Sequence, residues 1–459
     1  MRVLVVGLAT TGASVVSYTR AAGHDVTVID DAPGTGEAYA ARVARAQADG
    51  ARVLERPGAA EAAAEARAAD LVVPSPGVHP DHPALVAAHE AAVPIRSEID
   101  LAAARIRARP DAPRLVAVTG TNGKTTVTTL VDRILRAAGI ASAAAGNIGR
   151  PLLDAAGDDV DVIVAEVSSF QLTFISDAFA PDVAVLLNVA EDHVDWHGSV
   201  HAYAQAKAEL FRHQGASGLL VVNRDDPVAL GLARDAPGRI TRFGLGVPAP
   251  DDFGVRGADL VGPPGVLGAV PASGAPHDIA NALAAAAAAL AVGADVDAVA
   301  RTLDGFTGLA HRVQLVGEHD GVRWYDDSKA TNPHATASAL AGFEHAVLIA
   351  GGRNKGLDLG GLRIHAAQLR AVVAIGEAAS EVEAAFADAV PVTRAGSMRD
   401  AVRAAAAHAL PGDAVVLSPA CASFDWYESY AARGDDFARE VRALEVDSAR
   451  CPDGEGRGA

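Results

Sequence analysis

Short apolar runs alternate with longer, alanine-rich segments along most of the chain. The runs that predict buried β-strands cover residues 3–6, 26–29, 71–73, 115–118, 162–165, 183–187, 219–222, 347–350, 372–375 and 414–417. The segments between them have apolar residues at helical spacing, so helices are expected to connect the strands. This alternation is typical of an α/β fold built on mostly parallel sheets.

Two interruptions of the pattern indicate where domains meet. A length of 459 residues predicts about three domains. Residues 109–113, Arg-Pro-Asp-Ala-Pro, separate the first α/β block from the second. The Gly/Pro-rich segment 244–276 is either a linker or a set of irregular strands within the middle domain, and we favour the strands. The predicted domains cover residues 1–108, 109–306 and 307–446, followed by a flexible tail at 447–459.

Composition and charge narrow the classes of partner. Half of the residues are apolar and 21% are charged, so each domain can bury a sizeable core. The formal net charge is -18, and so acidic a surface repels the phosphates of a nucleic acid, which we therefore exclude as a partner. An anionic substrate would need a local cationic pocket.

Other features predict a soluble protein of the cytoplasm. Two cysteines, Cys421 and Cys451, cannot form a disulfide framework, which fits a reducing compartment. The apolar start at residues 3–6 has no cleavage region and indicates a strand, not a signal peptide. The alanine-rich segment 282–291 is too short to span a membrane, so no membrane association is expected.

The first domain has two weak ligand signals. The turn Gly7-Leu8-Ala9-Thr10-Thr11-Gly12 follows a strand and opens a helix, as in dinucleotide-binding proteins, although alanine replaces the middle glycine. Asp30 and Asp31 end the next strand, where an acid can bind ribose hydroxyls. Ser75-Pro76-Gly77 follows a third strand. Each signal is weak alone, and for the first one a tight strand-helix turn is the structural alternative to ligand binding.

The second domain contains a phosphate-binding loop. A strand at 115–118 leads into Thr119-Gly120-Thr121-Asn122-Gly123-Lys124-Thr125-Thr126, and a helix follows. Backbone N–H groups of such a loop converge on phosphates, Lys124 reaches the terminal phosphates, and Thr125 can ligate magnesium. The loop is an abbreviated form, because Val118 stands where the full pattern has glycine.

Polar residues follow two later strands of the same domain. Glu166 ends the strand at 162–165, and His193 lies just past the strand at 183–187. Open α/β sheets bind ligands at the carboxyl ends of their strands, so these two residues are candidate magnesium ligands. Lys207 lies on a predicted helix, and its spacing alone indicates only a solvated lysine.

Six motifs in a fixed order resemble those of one enzyme family, the Mur ligases. They are Thr-Gly-Thr-Asn-Gly-Lys-Thr (119–125), Glu-Val-Ser-Ser-Phe-Gln-Leu (166–172), Asn-Val-Ala-Glu-Asp-His (188–193), Gly-Leu-Ala-His-Arg (308–312), Asp-Ser-Lys-Ala-Thr-Asn (327–332) and Ser-Pro-Ala-Cys-Ala-Ser (418–423). The last two resemble the D-glutamate-adding branch. The similarity extends from Gly7 to about Phe437.

The resemblance implies an architecture and a reaction. It implies a Rossmann-like UDP-binding domain, a central P-loop ATPase domain with a mostly parallel sheet, and a C-terminal Rossmann-like domain. ATP would phosphorylate the carboxylate of UDP-N-acetylmuramoyl-L-alanine, and the amine of D-glutamate would displace the phosphate. The implied cofactors are ATP and Mg²⁺, with two ions expected. The enzyme is expected to be a monomer.

The resemblance also implies roles for individual residues. The residues implied to be catalytic are Lys124, His193, Lys207 and Lys329. Those implied to bind ATP are Gly120, Asn122, Gly123, Lys124, Thr125, Thr126, His277, Asn281, Arg312 and Asp327, and the metal ligands are Thr125, Glu166, His193 and Lys207. Lys207 matches a lysine that the family carbamylates, which converts an ammonium that repels magnesium into an anion that binds it.

The resemblance also implies which residues bind the UDP-sugar and D-glutamate. Gly12, Asp30, Ser75, Gly77 and Asn147 would bind the UDP-sugar, and Thr331, Lys355, Ser423 and Tyr430 would bind D-glutamate. Four positions depart from the family pattern: Ala9 replaces glycine, Asp31 threonine, Asp278 asparagine and Tyr430 phenylalanine.

Several alternatives remain at this point. A diaminopimelate- or lysine-adding Mur ligase should contain Asp-Asn-Pro-Arg, whereas this chain has Asn332-Pro333-His334. A folylpolyglutamate synthase should lack the motif at 418–423. An NAD-dependent dehydrogenase would leave the phosphate loop unused. A catalytically silent nucleotide-binding protein would be expected to have lost a metal or phosphate ligand.

Overall fold

Two compact units make up the described part of the chain. The structure, a computed structural model, describes residues 1–31, 37–271, 274–306 and 308–449. The first unit contains the described residues of 1–189, 196–271 and 279–305, and the second those of 190–195, 272–278 and 306–459. The domain boundaries predicted at 108 and 306 stay predictions.

The first unit begins with a four-stranded parallel sheet. Its elements are β1 (Arg2–Val6), α1 (Thr10–Ala21), β2 (Asp25–Asp30), α2 (Glu37–Ala48), β3 (Arg52–Glu55), α3 (Ala59–Ala68), β4 (Leu71–Pro74), α4 (Pro83–Glu90) and α5 (Glu98–Arg107). The strand order is β3-β2-β1-β4, with helices between successive strands, which is a Rossmann-like arrangement. A Cβ on Gly12 would lie 1.9 Å from the carbonyl oxygen of Gly7, so only glycine lets α1 approach β1 this closely.

A six-stranded parallel sheet follows in the same unit. Its elements are β5 (Arg114–Thr119), α6 (Lys124–Ala137), β6 (Ser142–Gly146), α7 (Leu152–Ala155), β7 (Val162–Glu166), α8 (Ser169–Leu172), β8 (Val183–Leu186), α9 (Val194–His197), α10 (Val200–Arg212), β9 (Leu219–Asn223), α11 (Pro227–Leu232), a 3₁₀ turn (Ala233–Asp235) and β10 (Arg239–Phe243). The order is β10-β9-β8-β5-β7-β6, so the chain changes direction across the sheet at β5. Such a switch point opens a crevice at the carboxyl end of the strand.

The segment at 244–276 forms strands of its own, as predicted. Strands β11 (Gly254–Arg256), β12 (Asp259–Gly262) and β13 (Gly265–Ala269) make a small antiparallel sheet, and helices α12 (Pro276–Ala291) and α13 (Val296–Asp304) follow. The alanine side chains of α12 are almost all buried. Alanine favours the helical conformation, and its small side chain lets α12 pack closely against its neighbours. The alanine-rich composition of this segment is therefore explained by packing inside the protein. Within the described residues, no helix is long and apolar enough to cross a membrane.

Glu98 is a buried carboxylate that links α5 to α7 in the first unit. It opens α5, and one of its oxygens accepts the backbone N–H of Leu153 in α7. The other oxygen, Oε2, is buried without a hydrogen-bond partner. Burial raises the pKa of Glu98 to about 7, because the charged form loses its hydration.

Glu98 should make stability depend on pH. A folded-state pKa above the unfolded value favours folding below about pH 4.5, and this contribution disappears as pH rises through about 7. We expect Glu98→Gln and the wild type to unfold at similar urea concentrations at pH 5.5. At pH 8.5 the variant should be more stable by on the order of 2–3 kcal/mol. The same difference in unfolding midpoint between the variant and the wild type at both pH values would contradict this.

The second unit contains a sheet of six strands. Its elements are β14 (Gln314–His319), β15 (Val322–Asp326), α14 (Pro333–Leu340), β16 (Ala346–Gly351), a 3₁₀ helix (Gly360–Gln368), β17 (Leu369–Ile375), α15 (Ala379–Phe386), β18 (Val392–Arg394), α16 (Met398–His408), β19 (Ala414–Leu417) and α17 (Tyr430–Ala449). The order is β14-β15-β19-β16-β17-β18, in which only the pairing of β14 is antiparallel. Trp324 of β15 packs against Phe437 of α17 in the core.

Helix α17 continues to Ala449, three residues into the segment predicted as a flexible tail. The remainder of that predicted tail, residues 450–459, lies outside the described residues.

Candidate active site

The phosphate-binding loop occupies the crevice at the carboxyl end of β5. Gly123 has a left-handed φ of 87°, and a Cβ there would lie 2.4 Å from Oδ1 of Asn281, so glycine is required. Asn281, predicted beside the nucleotide, therefore lies directly against the loop. The loop backbone at Asn122 is held by Asn188, whose Oδ1 accepts the Asn122 N–H and whose Nδ2 donates to the Asn122 carbonyl.

Lys124 extends over its own loop as the first residue of α6. Its ammonium donates to the carbonyl oxygens of Gly120 at 2.9 Å and Thr121 at 2.8 Å. Thr125 is half-buried and Thr126 is buried. The ammonium and the first N–H groups of α6 together form a positive surface at the start of a helix, which suits a phosphate.

Glu166 has the property expected of a metal ligand. It ends β7, is 3% exposed, and its Oε1 accepts a hydrogen bond from Nδ2 of Asn147 at 2.8 Å. Its Oε2 is buried without a partner. A buried carboxylate oxygen to which no described residue donates a hydrogen bond fits a hard cation such as Mg²⁺. Asn147, predicted to bind the UDP-sugar, is exposed and bonds to this carboxylate.

Lys207 of α10 is 1% exposed. Its ammonium donates to the Gly120 carbonyl at 2.8 Å and lies 4.4 Å from the ring centroid of Tyr203. The Gly120 carbonyl therefore accepts from both Lys124 and Lys207, which brings two ammonium groups close together. Among the described residues, no three His, Cys, Asp or Glu side chains form a metal site by themselves, so a metal would also need other ligands.

Four of the five residues predicted for the UDP-sugar lie at the carboxyl edge of the first sheet, whereas Asn147 follows β6 of the second. Asp30 is buried and its Oδ2 accepts the N–H of Leu8. The Ser75 hydroxyl donates to the carbonyl of Gly7, which joins the turns after β1 and β4. Gly77 has open space where a Cβ would be. The turn around Gly12 and these three residues thus form one surface.

Two short segments of the second unit contain further predicted residues. His193 is half-buried and has a left-handed φ of 53°. This backbone conformation is strained for residues other than glycine and is frequent at functional sites. Its Nε2 lies 3.7 Å from Oδ2 of Asp192. Nδ1 of His277 is buried without a partner, and its Nε2 lies 3.5 Å from Oδ1 of Asp278.

Loops after three adjacent strands of the second unit contain three of the residues predicted for D-glutamate, and the fourth, Tyr430, opens α17. Thr331 follows β15, Ser423 follows β19 and Lys355 follows β16. Lys355 lies 3.5 Å from Oδ1 of Asp192, and Asn332 donates to Oδ2 of the same carboxylate at 3.0 Å. The motif that contains Asp192 was recognised in the sequence, but no role was predicted for this residue.

Asp327 and Arg312, predicted to contact ATP, interact with each other in the second unit. Asp327 is buried, and its Oδ2 accepts a hydrogen bond from the Ser418 hydroxyl at 2.7 Å. Burial raises the pKa of Asp327 to about 7, while the Ser418 hydroxyl and the charge of Arg312 act in the opposite direction.

A buried arginine that was not predicted from the sequence connects two site loops. Arg433 of α17 is 1% exposed and donates to the hydroxyl and carbonyl of Ser328 and to the carbonyls of Cys421 and Ala422. Burial lowers its pKa to about 10, so it remains charged at neutral pH. Only a planar guanidinium can donate to so many carbonyls at once.

Lysine is confined to the predicted site. The sequence contains four lysines, Lys124, Lys207, Lys329 and Lys355, and each is a predicted site residue. All four are buried or half-buried. Arginine supplies the other basic side chains, so the scarcity of lysine was a signal in the sequence that could have identified these positions.

Comparison with known proteins settles the family. Three family models match in succession: the MurD-like N-terminal domain of the Mur ligases at residues 1–97, the Mur ligase middle domain at 118–289, and the Mur ligase glutamate ligase domain at 311–421. A UDP-N-acetylmuramoylalanine–D-glutamate ligase of Frankia casuarinae is 45% identical, over 96% of this chain and 94% of that protein. An enzyme of the same name from Desulfosudis oleivorans is 41% identical, over 98% of both chains.

The chain belongs to the Mur ligase family.

A solved structure has the same fold as this Mur ligase. A pseudomurein peptide ligase type C from Methanothermus fervidus aligns with a TM-score of 0.60 at 17% identity, over 96% of this chain and 99% of that one. Three Mur ligase domains on α/β sheets, predicted from the motifs, are therefore confirmed. Family membership also removes the dehydrogenase hypothesis, under which the phosphate loop and the second unit would have no use.

Proposed function

We propose that this Mur ligase joins D-glutamate to UDP-N-acetylmuramoyl-L-alanine at the expense of ATP, in the synthesis of peptidoglycan precursors. The observation that carries the proposal is near full-length identity of 41–45% to relatives named as UDP-N-acetylmuramoylalanine–D-glutamate ligases. The motifs at 327–332 and 418–423 support the same branch of the family. The proposed enzyme acts in the cytoplasm as a monomer.

The reaction requires an activated carboxyl group, because a carboxylate is a poor electrophile. In the proposed first step, a carboxylate oxygen of the UDP substrate attacks the γ-phosphorus of ATP, and ADP leaves. In the second step, the amine of D-glutamate attacks the acyl phosphate, a tetrahedral intermediate forms, and inorganic phosphate leaves as the amine loses its proton. Both steps bring anions together, so cations must be fixed in advance.

Lys124 and its loop are proposed to hold the β- and γ-phosphates. The Lys124 ammonium would exchange its two carbonyl acceptors for phosphate oxygens, which are stronger acceptors because they are charged. The loop residues Gly120, Asn122, Gly123 and Thr126 would offer backbone N–H groups. Asn281, packed under Gly123, would fix the loop, and His277, Arg312 and Asp327 are assigned to the nucleotide by family resemblance.

Glu166, His193, Thr125 and Lys207 are proposed to hold Mg²⁺, with two ions in total. The unpartnered Oε2 of Glu166 supports this assignment. Bound Mg²⁺ would neutralise phosphate charge. Carbamylation of Lys207 is part of the proposal, because two ammonium groups that share the Gly120 carbonyl repel each other. A carbamate on Lys207 would replace that repulsion with attraction to Lys124 and would provide an anionic oxygen for the metal.

The two carboxylates of D-glutamate need cationic and hydroxyl partners. Lys329, Lys355, Thr331 and Ser423 offer both types on neighbouring loops, and Tyr430 adjoins Lys329. Lys355 would exchange its ion pair with Asp192 for a substrate carboxylate. Gly12, Asp30, Ser75 and Gly77 are proposed for the uridine and its phosphates, and Asn147 for the UDP substrate as well as for Glu166.

Phosphate release tests the reaction and the branch together. We expect release from ATP with UDP-N-acetylmuramoyl-L-alanine and D-glutamate, and formation of a UDP-dipeptide. L-Glutamate, meso-diaminopimelate and the absence of an amino acid should each give background rates. Release with diaminopimelate would place the chain in another branch of the family. No turnover with any amino acid, in protein that binds ATP, would favour a catalytically silent nucleotide-binding protein.

A further inference from the structure

The ammonium of Lys329 lies over an aromatic ring. Its Nζ is 3.8 Å from the ring centroid of Tyr430, the first residue of α17. Among the described residues, no carboxylate lies within ion-pair distance of this ammonium, in contrast to Lys355. An aromatic face attracts a cation through its quadrupole without neutralising it. Lys329 is thus held in place while its charge stays available to an anionic ligand.

Tyr430 is itself fixed by one contact to its backbone and one to its ring. The Ser328 hydroxyl donates to the Tyr430 carbonyl at 2.8 Å, so the start of α17 is tied to the loop that contains Lys329. The imidazole of His311 meets the ring edge-on, with centroids 6.1 Å apart and planes at 78°. This arrangement places the positive edge of one ring against the negative face of another, which favours one orientation.

His311 is held from several sides. Its Nδ1 lies 2.6 Å from Oδ2 of Asp326, a buried residue whose other oxygen accepts the N–H of Ser328. The backbone carbonyl of His311 accepts the N–H of Lys329. A Cβ on Gly434 would lie 2.3 Å from Nδ1 of His311, so α17 can close on the imidazole only at a glycine. His311 also has a left-handed φ of 60°, a strained conformation that the surrounding contacts must maintain.

We propose that Asp326, His311 and Tyr430 are positioning residues, which act in series to hold the ammonium of Lys329 uncompensated toward the anionic substrates. The aromatic ring of Tyr430 has this role, and its hydroxyl does not. The assignment of a substrate anion to Lys329 rests on the proposed ligase function. The placement of the ammonium over the ring does not depend on that function, and the two can be tested separately.

A double-mutant cycle tests the kinetic role. Tyr430→Phe keeps the ring and should lower kcat much less than Tyr430→Leu, which should lower kcat about tenfold and leave the KM for ATP nearly unchanged. In a Lys329→Met background, Tyr430→Leu should have no further effect, because its target is gone. Additive losses in the double variant would overturn the proposal.

Lysine resonances test the placement without any substrate. Reductive methylation with ¹³C-formaldehyde labels four lysines and the N-terminus of the full chain, and Lys329→Arg assigns its signal. We expect the Lys329 signal to be shifted upfield by the ring in the wild type and in Tyr430→Phe, and to move to the ordinary position in Tyr430→Leu. His311→Gln should shift it part of the way.

Tyr325→Leu is the matched control. Tyr325 lies on the same strand as Asp326, and its ring packs against Phe343 with centroids 4.9 Å apart. Loss of the Tyr325 ring should leave the position of the Lys329 signal unchanged. Equal thermal midpoints for the variants would establish that they fold. If the Lys329 signal has the same chemical shift in Tyr430→Leu as in the wild type, the positioning role is overturned. A ring-shifted signal in a protein without ligase activity would refute the proposed function and leave the positioning intact.

Discussion

Lys124→Ala is expected to lower ATP-dependent phosphate release about a thousandfold, because no other group replaces a cation fixed against the transferring phosphate. The ammonium already lies over the loop, bonded to the Gly120 and Thr121 carbonyls, so it requires little rearrangement to meet a phosphate. The loss should appear in kcat, measured at saturating concentrations of all three substrates.

A control on the same helix separates this effect from damage to α6. Arg136 lies at the far end of the helix and bonds to Asp132 and to the carbonyl of Ser142. Arg136→Gln removes a charge at the surface and should stay within about twofold of the wild type. If Lys124→Ala retains a tenth or more of the wild-type rate, the loop does not hold the reacting phosphates.

Glu166→Gln is expected to reduce turnover at least a hundredfold, because a neutral amide is a much weaker ligand for Mg²⁺ than a carboxylate. The substitution keeps the size of the side chain and the acceptor that Asn147 uses. Thermal stability should change little or increase, since the buried Oε2 has no protein partner to lose. Phosphate release at rising Mg²⁺ concentration measures the change.

Glu98→Gln is the matched control for that substitution. Both glutamates are buried, and each has one bonded and one unpartnered oxygen. We expect Glu98→Gln to change the dependence of stability on pH and to leave turnover unchanged, whereas Glu166→Gln should do the reverse. Equal effects of the two variants on turnover would indicate that Glu166 has only a structural role.

Most strands inside the sheets could be predicted from the sequence, with β12 and β15 as exceptions, and most of those at the edges could not. All ten predicted runs form strands, because strands buried on both faces are continuous runs of apolar residues. The missed strands include β3, which begins with Arg52 and ends with Glu55, and β18, which ends with Arg394. Strand β6 is Ser-Ala-Ala-Ala-Gly and has the composition of a helix, so its pairing with β7 decides its structure.

The motifs located the chemical groups of the candidate site but not the residues that orient them. Lys124 and Glu166 could be named because each lies in a recognisable motif, and Lys207 was named only through the family resemblance. Arg433 lies outside the motifs, and His311 and Asn188 lie within them but had no predicted role. Their contacts with backbone carbonyls, a ring and a loop backbone depend on the folded geometry. Asp192 was visible in a motif, yet two of its partners, Asn332 and Lys355, lie more than a hundred residues away in the sequence.

The confinement of lysine to the site also determines which proteases can cut the folded chain. A lysine-specific endoprotease needs an extended segment on either side of an exposed lysine, and all four lysines are buried or half-buried. An arginine-specific protease, by contrast, finds exposed side chains such as Arg2, Arg52 and Arg353. Each cut after lysine would therefore report an opening of a segment proposed to bind the substrates, whereas a cut after arginine would report the exposed surface.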